Sequence, residues 1–332
     1  MKAVLCRAFG PPSGLTLEEV PAPEPGPGQV LIRVEACSVN FPDTLIIQGR
    51  YQTRPPLPFS PGGEVAGAVA GLGAGVAGPP LGTRVLAMTS HGGFAEMAVA
   101  GADAVVAVPE DVDAVTAAAL SYAYGTSFYA LRDRAGLRPG ETVLVLGAAG
   151  GAGLAAVQLA KLMGARVIAA ASPGKLETTR DAGADASVDY RQEGWRDRVR
   201  ELIGSTGGVD VVYDPVGGPY SEPALRSLGW GGRHLVVGFA AGEIPRIPLN
   251  LPLLKGCGIL GVSYGAFAKR EPDANRALVG QLLAWVRERR LRPLVSATHS
   301  LEGAAAALEA LLARSVTGKI VLVTDSLAPA AG

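Results

Sequence analysis

The segment TVLVLGAAGGAG, residues 142–153, constrains the fold more than any other stretch of the chain. It opens with apolar and β-branched residues, as a strand buried on both faces does, and then turns to glycine. Gly147, Gly150 and Gly153 recur at every third position, a spacing that lets the backbone turn tightly and approach a pyrophosphate. The helical pattern LAAVQLAKLMG and the strand pattern ARVIAAA follow. The segment therefore predicts a strand–turn–helix–strand unit that binds a dinucleotide; the alternative is the same unit with a merely glycine-rich turn.

The composition favours a globular protein of about two domains, at the usual ~150 residues per domain. The chain has 332 residues, of which 48% are hydrophobic, and its 30 acidic and 30 basic residues balance. Such a balance argues against a charged polymer as partner, so no nucleic acid is expected. Three widely spaced cysteines, together with the lack of a signal-peptide pattern and of an apolar run of about 18 residues, predict a cytoplasmic protein that contacts no membrane.

The first third of the chain is rich in proline and in short strand patterns. These patterns are KAVL at 2–5, QVLIRVEAC at 29–37, and then EVAGAVAGLG, GTRVLAM, GFAEMAVA and AVVAVP. Residues 40–48 are predicted to form a short helix or turn. Short, glycine-punctuated strands over about 100 residues favour a partly open β-barrel.

Helical and strand patterns alternate after residue 113. The six predicted strands are TVLVLGA, RVIAAA, ASVDY, VDVVYDPV, GRHLVVGF and GILGVSY. This alternation predicts a doubly wound parallel six-stranded sheet with its ligand beyond the carboxyl ends of the strands. Two helices, the second (SLEGAAAALEALLARSV) with Ser300 as its cap, and a strand (GKIVLVT) are then expected to rejoin the first domain. The closing SLAPAAG is expected to be frayed.

The chain resembles the medium-chain dehydrogenase/reductase superfamily, and within it the zinc-independent, zeta-crystallin-like quinone oxidoreductases. The resemblance covers nearly the whole length. It rests on SVNFPDTLIIQGRY at 38–51, PGGEVAGAVAGLG at 61–73, YGTSFYAL at 124–131, the glycine segment with its helix, VDVVYDPVGG, and the terminal GKIVL.

This resemblance implies a mixed α/β protein with two domains. A GroES-like, partly open β-barrel catalytic domain would span residues 1–121 and 265–332, and a Rossmann NADPH-binding domain would span 122–264. It further implies NADPH-linked reduction of a small molecule in the cleft between them. Members of the group commonly dimerise through the last sheet strand, here about Ile259 to Tyr264.

The superfamily's catalytic zinc ligands are replaced in this sequence. Aligned on the family motifs, the three ligand positions hold Val39, Gly63 and Tyr122, and none of these side chains is a plausible zinc ligand. The lobe that carries four cysteines in zinc-containing relatives is missing. No metal is therefore expected, and the three histidines are interpreted as structural: His91 in a loop, His234 in sheet core and His299 before a helix cap.

The cofactor is predicted to be NADPH rather than NADH. An NAD-specific sheet places a carboxylate at the end of its second strand, on the ribose 2′-hydroxyl. Here that strand ends in alanines and Ser172, and Lys175 follows. Tyr190, at the end of the third strand, and Lys319, near the C-terminus, match NADPH-binding positions in the family. The alternative for Lys175 is a solvated lysine at a helix start.

Asn40 and Thr126 are the first candidates for the nicotinamide end, with a turn-forming asparagine and a helix cap as the alternatives. Tyr51 matches a pocket tyrosine of the family, so the predicted catalytic residues are Asn40, Tyr51 and Thr126, whereas Asp43 is interpreted as a structural partner. The predicted cofactor-binding residues are Asn40, Thr126, Gly147, Ala149, Gly150, Gly151, Ala152, Gly153, Ser172, Lys175, Tyr190, Gly238, Phe239, Ser263 and Lys319.

The chemistry that fits these residues is hydride transfer from NADPH to a quinone or another α,β-unsaturated carbonyl. Two alternatives stay open. One is an enoyl-thioester reductase, which would need a basic site entrance, with Arg50, Arg54 and Arg270 as its candidates. The other is an NADPH-binding structural or RNA-binding protein with little turnover.

Overall fold

The computed structural model describes residues 1–327; residues 328–332, most of the closing segment predicted to fray, lie outside the described part. The strands are β1 (Lys2–Cys6), β2 (Leu15–Glu19), β3 (Gln29–Val39), β4 (Glu64–Leu72), β5 (Arg84–Met88), β6 (Met97–Gly101), β7 (Val105–Ala107), β8 (Thr142–Leu146), β9 (Arg166–Ala171), β10 (Ala186–Asp189), β11 (Val209–Asp214), β12 (Leu228–Val236), β13 (Gly258–Gly261), β14 (Val295–Ser300) and β15 (Lys319–Val323).

Helices alternate with the strands of the middle third and also close the C-terminal part. They are α1 (Phe41–Ile46), α2 (Ala114–Ala118), α3 (Thr126–Phe128), α4 (Gly151–Leu162), α5 (Leu176–Asp181), α6 (Trp195–Ile203), α7 (Ser221–Arg226), α8 (Asn250–Lys255), α9 (Tyr264–Arg270), α10 (Pro272–Arg287) and α11 (Ala304–Leu312). π-helical turns, Ser121–Gly125 and Tyr129–Arg134, flank α3. None of the described helices is long and apolar enough to cross a membrane.

The chain divides into two compact units. Unit 1 comprises Met1–Tyr122 and Phe267–Gly332, and unit 2 comprises Ala123–Ala266. These limits lie within two residues of the predicted domain boundaries.

Unit 1 is built on a seven-stranded sheet in the order β14-β15-β3-β4-β5-β7, with β6 paired to β3. In β3 the side chains of Val30, Ile32 and Val34 are fully buried and alternate with more exposed ones, which is the period of a strand with one core face. Strand β15 pairs antiparallel with β3, with Ile320 opposite Val39. The C-terminal tail therefore completes the N-terminal sheet, as the sequence predicted.

Unit 2 contains the predicted six-stranded parallel sheet, in the order β10-β9-β8-β11-β12-β13. All five residues of β8 are buried, because helices cover both faces of such a sheet. The chain runs outward from β8 in both directions, so the point where strand order reverses lies between β8 and β11. All six carboxyl ends share one edge, and the predicted doubly wound fold is confirmed.

Several local predictions were wrong. Strand β2 was missed, because its sequence LTLEE has little apolar alternation, and so was β14, which contains His299. Ser300 ends that strand and begins a 3-10 turn, and α11 starts only at Ala304. Strands β12 and β13 end at Val236 and Gly261, earlier than predicted, so Gly238, Phe239 and Ser263 lie beyond the strands rather than at their ends.

Candidate nucleotide site and buried polar network

The glycine turn of unit 2 connects β8 to α4. Gly147 has a φ of +57°, a conformation that favours glycine, and Gly150 is the N-cap of α4. A Cβ on Gly153 would lie 2.2 Å from the carbonyl oxygen of Gly147, so only glycine lets the first helical turn pack on the loop. The first amides and the positive end of a twelve-residue helix then suit a pyrophosphate, so the residues of this turn fit a dinucleotide.

The other predicted residues of unit 2 follow the carboxyl ends of neighbouring strands. Ser172 comes directly after β9 and Tyr190 directly after β10, and Gly238, Phe239 and Ser263 come two or three residues after β12 and β13. Because the strands are parallel, these residues line the same edge as the glycine turn. The structure thus brings together most of the predicted cofactor residues.

The segment directly after β9, residues 172–175, holds a cation and no carboxylate. Lys175 is half-buried, and burial lowers the pKa of its ammonium. The ring of Tyr190 packs edge-on against that of Tyr220, with centroids 4.6 Å apart, which fixes where its hydroxyl can point. This chemistry suits a 2′-phosphate better than a free 2′-hydroxyl.

Thr126 begins α3, and the neighbouring Ser127 ties this helix to the glycine turn. The hydroxyl of Ser127 lies 2.9 Å from the carbonyl oxygen of Ala152 in the first turn of α4, and 2.8 Å from the hydroxyl of Tyr213 in β11. Sequence reasoning missed Ser127. Its only signal is a serine next to Thr126 in a predicted helix, and many surface helices show the same feature.

A buried polar network in unit 1 surrounds Asn40. Its side-chain amide donates to the carbonyl oxygen of Ser38 (3.2 Å) and to a carboxylate oxygen of Glu64 (3.1 Å). The Lys319 ammonium donates to the amide oxygen of Asn40 and lies 3.7 Å from Glu64. The other Glu64 oxygen accepts from the Tyr122 N–H at 2.9 Å. The Asn40 side chain therefore joins β4 and β15, and the same residue is the N-cap of α1.

Burial shifts the pKa of both charged groups in this network. It raises the pKa of the Glu64 carboxyl and lowers that of the Lys319 ammonium, and each group's charge opposes the other's shift. Lys319 is only 4% exposed. The structure therefore places this predicted cofactor residue inside the buried network, in contact with Asn40 and Glu64.

Asp43 caps the start of α1. Its carboxylate accepts from the N–H groups of Asn40 (2.7 Å) and Gly62 (3.2 Å), which agrees with its interpretation as a structural partner. Burial raises the pKa of Asp43 to about 7. Burial and the nearby Asp43 charge also raise the pKa of Tyr51, a half-buried residue packed against the core of unit 1, so its phenol stays protonated at neutral pH.

The three positions that hold zinc ligands in the superfamily do not fit a metal here. The Val39 side chain is buried in the core, and a Cβ added to Gly63 would lie 2.5 Å from the Tyr122 hydroxyl oxygen. The Tyr122 ring thus fills the space that a larger side chain at position 63 would need. Within residues 1–327, no group of three or more His, Cys, Asp or Glu side chains is arranged to hold a metal ion.

A third buried carboxylate, Asp214, organises the carboxyl edge of unit 2. One oxygen accepts from the N–H groups of Val216 (2.9 Å) and Gly217 (2.8 Å). The other accepts from the Ser221 hydroxyl (2.5 Å) and lies 3.2 Å from Nε2 of His234. Burial alone would raise the pKa of Asp214, but His234 and the other donors hold it below its usual value. His234 thus lies in the sheet core, where the sequence placed it, and its contact with Asp214 was missed.

Comparisons with known proteins agree with this architecture. The family described as "Alcohol dehydrogenase GroES-like domain" matches residues 26–110, and the one described as "Zinc-binding dehydrogenase" matches residues 151–280. A quinone oxidoreductase-like protein 2 homolog from Nematostella vectensis is 39% identical over 97% of this chain and 89% of its own length.

Solved structures of related proteins also match this chain over nearly its whole length. The quinone oxidoreductase from Thermus thermophilus, solved also with NADPH, is 37% identical, with a TM-score of 0.83 over 97% of this chain and 100% of its own. The Escherichia coli quinone oxidoreductase complexed with NADPH is 27% identical, with a TM-score of 0.90 over the same shares. The chain belongs to the quinone oxidoreductase group of the medium-chain dehydrogenase/reductase superfamily. In its buried network, Asn40 and Glu64 each directly follow one of the replaced ligand positions, Val39 and Gly63.

Proposed function

We propose that this quinone oxidoreductase relative is an NADPH-dependent reductase that transfers hydride to a quinone or another α,β-unsaturated carbonyl. The observation that carries the proposal is the end of β9, where Ser172 and Lys175 stand in place of the carboxylate that NAD-specific sheets use. The glycine turn at the same edge supplies the pyrophosphate cradle. The two related quinone oxidoreductases solved with NADPH support the same cofactor.

The chain's own residues bind and orient rather than react. NADPH, when bound, would supply the hydride. The turn from Gly147 to Gly153 would hold the pyrophosphate, and Ser172, Lys175 and Tyr190 would hold the 2′-phosphate. Gly238, Phe239 and Ser263 would line the rest of the edge.

Substrate polarisation is left to hydrogen bonds, because Val39, Gly63 and Tyr122 supply no metal ligands. Asn40 and Thr126 are the candidates to orient the reacting groups, and the Tyr51 phenol could hold a proton near an acceptor oxygen. A conjugated acceptor, whose own π-system delocalises the added electrons, needs the least help and is therefore the substrate class we assign.

The test is steady-state oxidation of NADPH with four acceptors: 1,4-benzoquinone, 9,10-phenanthrenequinone, an alkenal and crotonyl-CoA. We expect turnover with the quinones or the alkenal. We also expect a lower kcat for Tyr51→Phe, because this variant lacks the phenol proton near the acceptor oxygen. Preference for crotonyl-CoA would support the enoyl-thioester alternative instead. Tight NADPH binding without turnover of any acceptor would contradict a reductase and leave the structural or RNA-binding alternative.

We further propose a homodimer formed through β13. This strand is the outermost one of its sheet, so its backbone groups on one side lack a strand partner within the described chain. Three large apolar side chains in or near β13 are exposed. Ile259 (39%) lies in β13 itself, Leu253 (78%) in the preceding helix α8, and Trp230 (84%) in the neighbouring strand β12. Exposed apolar groups beside an open strand suit a self-association surface.

Light scattering coupled to size-exclusion chromatography tests the dimer. Ile259→Lys should shift the mass from two chains to one, whereas Leu312→Lys, at an exposed residue of α11 in unit 1, should not. A monomeric wild-type protein, or an Ile259→Lys variant that stays dimeric, would contradict this interface.

A cytoplasmic location is also proposed. Cys6, Cys37 and Cys257 are all free thiols, as a reducing compartment permits. Alkylation of the protein in freshly lysed cells should find all three reduced, and a disulfide-linked form would contradict the proposal.

A further inference from the structure

We propose that unit 2 carries a second anion site, for a small molecule with two or more phosphate groups, at the amino-terminal edge of its sheet. The site surrounds the starts of β11 and β12 and lies at the opposite edge from the glycine turn. Strands of about six residues separate the two edges by roughly 20 Å, so one ligand does not occupy both.

The site is a cavity of about 370 Å³. This volume falls within the range of small-molecule pockets, roughly 300–1,000 Å³. Its apolar floor comes from Ile203 and Leu228, and its wall is the loop of Gly204, Gly207 and Gly208 between α6 and β11. An added Cβ on Gly204 or Gly207 would meet nothing within 4 Å, so this wall leaves open space beside the backbone.

Among the described residues, four cationic side chains line the cavity, and no carboxylate does. Arg196 and Arg200 lie one turn apart on α6 and therefore on the same helix face. Arg226 is in the last turn of α7 and Lys255 in the last turn of α8. Lys255 is held in place because its ammonium donates to the Leu228 carbonyl oxygen at 2.6 Å.

The neighbouring acids neutralise only part of this charge. Asp197 lies 3.6 Å from Arg200, and Glu222 lies 2.7 Å from Arg226. Four cations and two acids leave an excess of two positive charges around the cavity, in a chain whose total charge is zero. The concentration of charge is therefore local.

Helix stability does not account for the cluster. Cations in the last turn of a helix are favourable, which explains Arg200, Arg226 and Lys255. Arg196, however, lies in the first turn of α6, where the helix dipole disfavours a cation. Burial lowers the pKa of the Lys255 ammonium, and Arg196, Arg226 and Arg200 lower it further, so the four cations repel one another in the folded chain. A bound polyanion would relieve that repulsion.

The side-chain chemistry specifies phosphate. Arginine presents paired N–H groups that match two oxygens of one phosphate, and a lysine adds a point charge. Three arginines and a lysine around a single cavity can engage more phosphate oxygens than one phosphate offers at once. A diphosphate or a longer phosphate chain on a small molecule fits this arrangement.

The test is calorimetric titration of the full-length protein with pyrophosphate and with inorganic phosphate. One equivalent of NADPH per chain is present, at a protein concentration well above its Kd, so that the glycine turn is occupied and no excess NADPH competes for the second site. We expect pyrophosphate to bind more tightly than phosphate, and Arg200→Ala and Arg196→Ala each to weaken it at least about tenfold, the loss of one charged hydrogen bond. NADPH affinity should stay unchanged in both variants.

Arg198→Ala is the matched control. Arg198 lies on the same helix and carries the same charge, but it pairs with Glu201 at 2.6 Å and does not line the cavity. Equal weakening by Arg198→Ala would show general electrostatic attraction and overturn the site, as would pyrophosphate binding no tighter than phosphate. Competition by a 20-nucleotide RNA at lower concentration than pyrophosphate would overturn the small-molecule assignment.

Discussion

Two buried aspartates, one in each unit, behave in opposite ways although their burial is the same. Asp43 and Asp214 are each 3% exposed. The pKa of Asp43 is raised to about 7, whereas that of Asp214 lies below its usual value. Equal exposure therefore does not give two carboxyl groups the same pKa in this protein.

The difference comes from the donors that face each carboxylate. Asp43 accepts from two backbone N–H groups, and the nearby Lys319 ammonium is directed at Asn40 and Glu64 instead. Asp214 also accepts from two backbone N–H groups, but the Ser221 hydroxyl and His234 face its other oxygen. Unit 1 therefore keeps an acid poised near neutral pH, and unit 2 keeps a permanent anion that holds the loop after β11.

The largest effect on stability is expected at Asp214. Asp214→Ala leaves four buried donors without their acceptor and should lower the free energy of unfolding by about 3–5 kcal/mol. Asp43→Ala leaves two backbone N–H groups without their acceptor and should lower the free energy of unfolding by about 1–3 kcal/mol. Urea unfolding of both variants, with the exposed Asp273→Ala as control, measures the two losses. Equal losses would show that the additional donors facing Asp214 contribute nothing to stability.

The next largest effect on stability is expected at Lys319, the cation of the network around Asn40. Lys319→Met leaves the Glu64 carboxylate buried without its ion-pair partner and should cost about 2–3 kcal/mol. Adding Glu64→Gln removes that charge and should recover at least about 1 kcal/mol of the loss, so the two substitutions are not additive. A double-mutant cycle by urea unfolding measures this coupling, and strict additivity would mean that the 3.7 Å pair contributes nothing.

The last effect is the pH dependence, and its sign differs between the two aspartates. Asp43 binds its proton more tightly when folded, so its contribution to stability should fall as pH rises from about 4 to about 7, by up to about 1.4 kcal/mol per pH unit. Asp214 binds its proton less tightly when folded, so its contribution should be lost as pH falls below about 4.

Unfolding curves at several pH values check both signs. The stability difference between wild type and Asp43→Asn should change between pH 4 and 7 and stay constant above that range. The difference between wild type and Asp214→Asn should change only on the acid side. The opposite pattern in either variant would contradict the assigned protonation states.

The fold was largely predictable from the sequence because its signals are local. The continuous apolar run TVLVL and the glycines after it specify the parallel sheet within a few residues. Strand β2 was not predictable in this way, since its Glu18 and Glu19 break the apolar alternation. Strand β14 likewise alternates between half-buried and exposed residues and has no buried core face.

The residues of the candidate site were predictable only where they follow the ends of strands. Ser172 and Tyr190 could be assigned to the carboxyl edge of the sheet because each directly follows a recognisable strand. The network of Asn40, Glu64 and Lys319 could not, because Lys319 reaches Asn40 only when β15 pairs with β3 across 279 residues of sequence. Its partners depend on strand register, which periodicity does not specify for non-neighbouring segments.

The carboxyl edge of unit 2 carries the central claim, that this protein selects NADPH. The direct measurement is the Kd of NADPH and of NADH, by fluorescence titration of wild type, Lys175→Ala and the control Lys161→Ala, whose ammonium pairs with Asp185 instead. Wild type should bind NADPH at least about tenfold more tightly, Lys175→Ala should lose most of that preference, and Lys161→Ala should keep it. Equal affinity of wild type for the two nucleotides, or an unchanged ratio in Lys175→Ala, would contradict the claim.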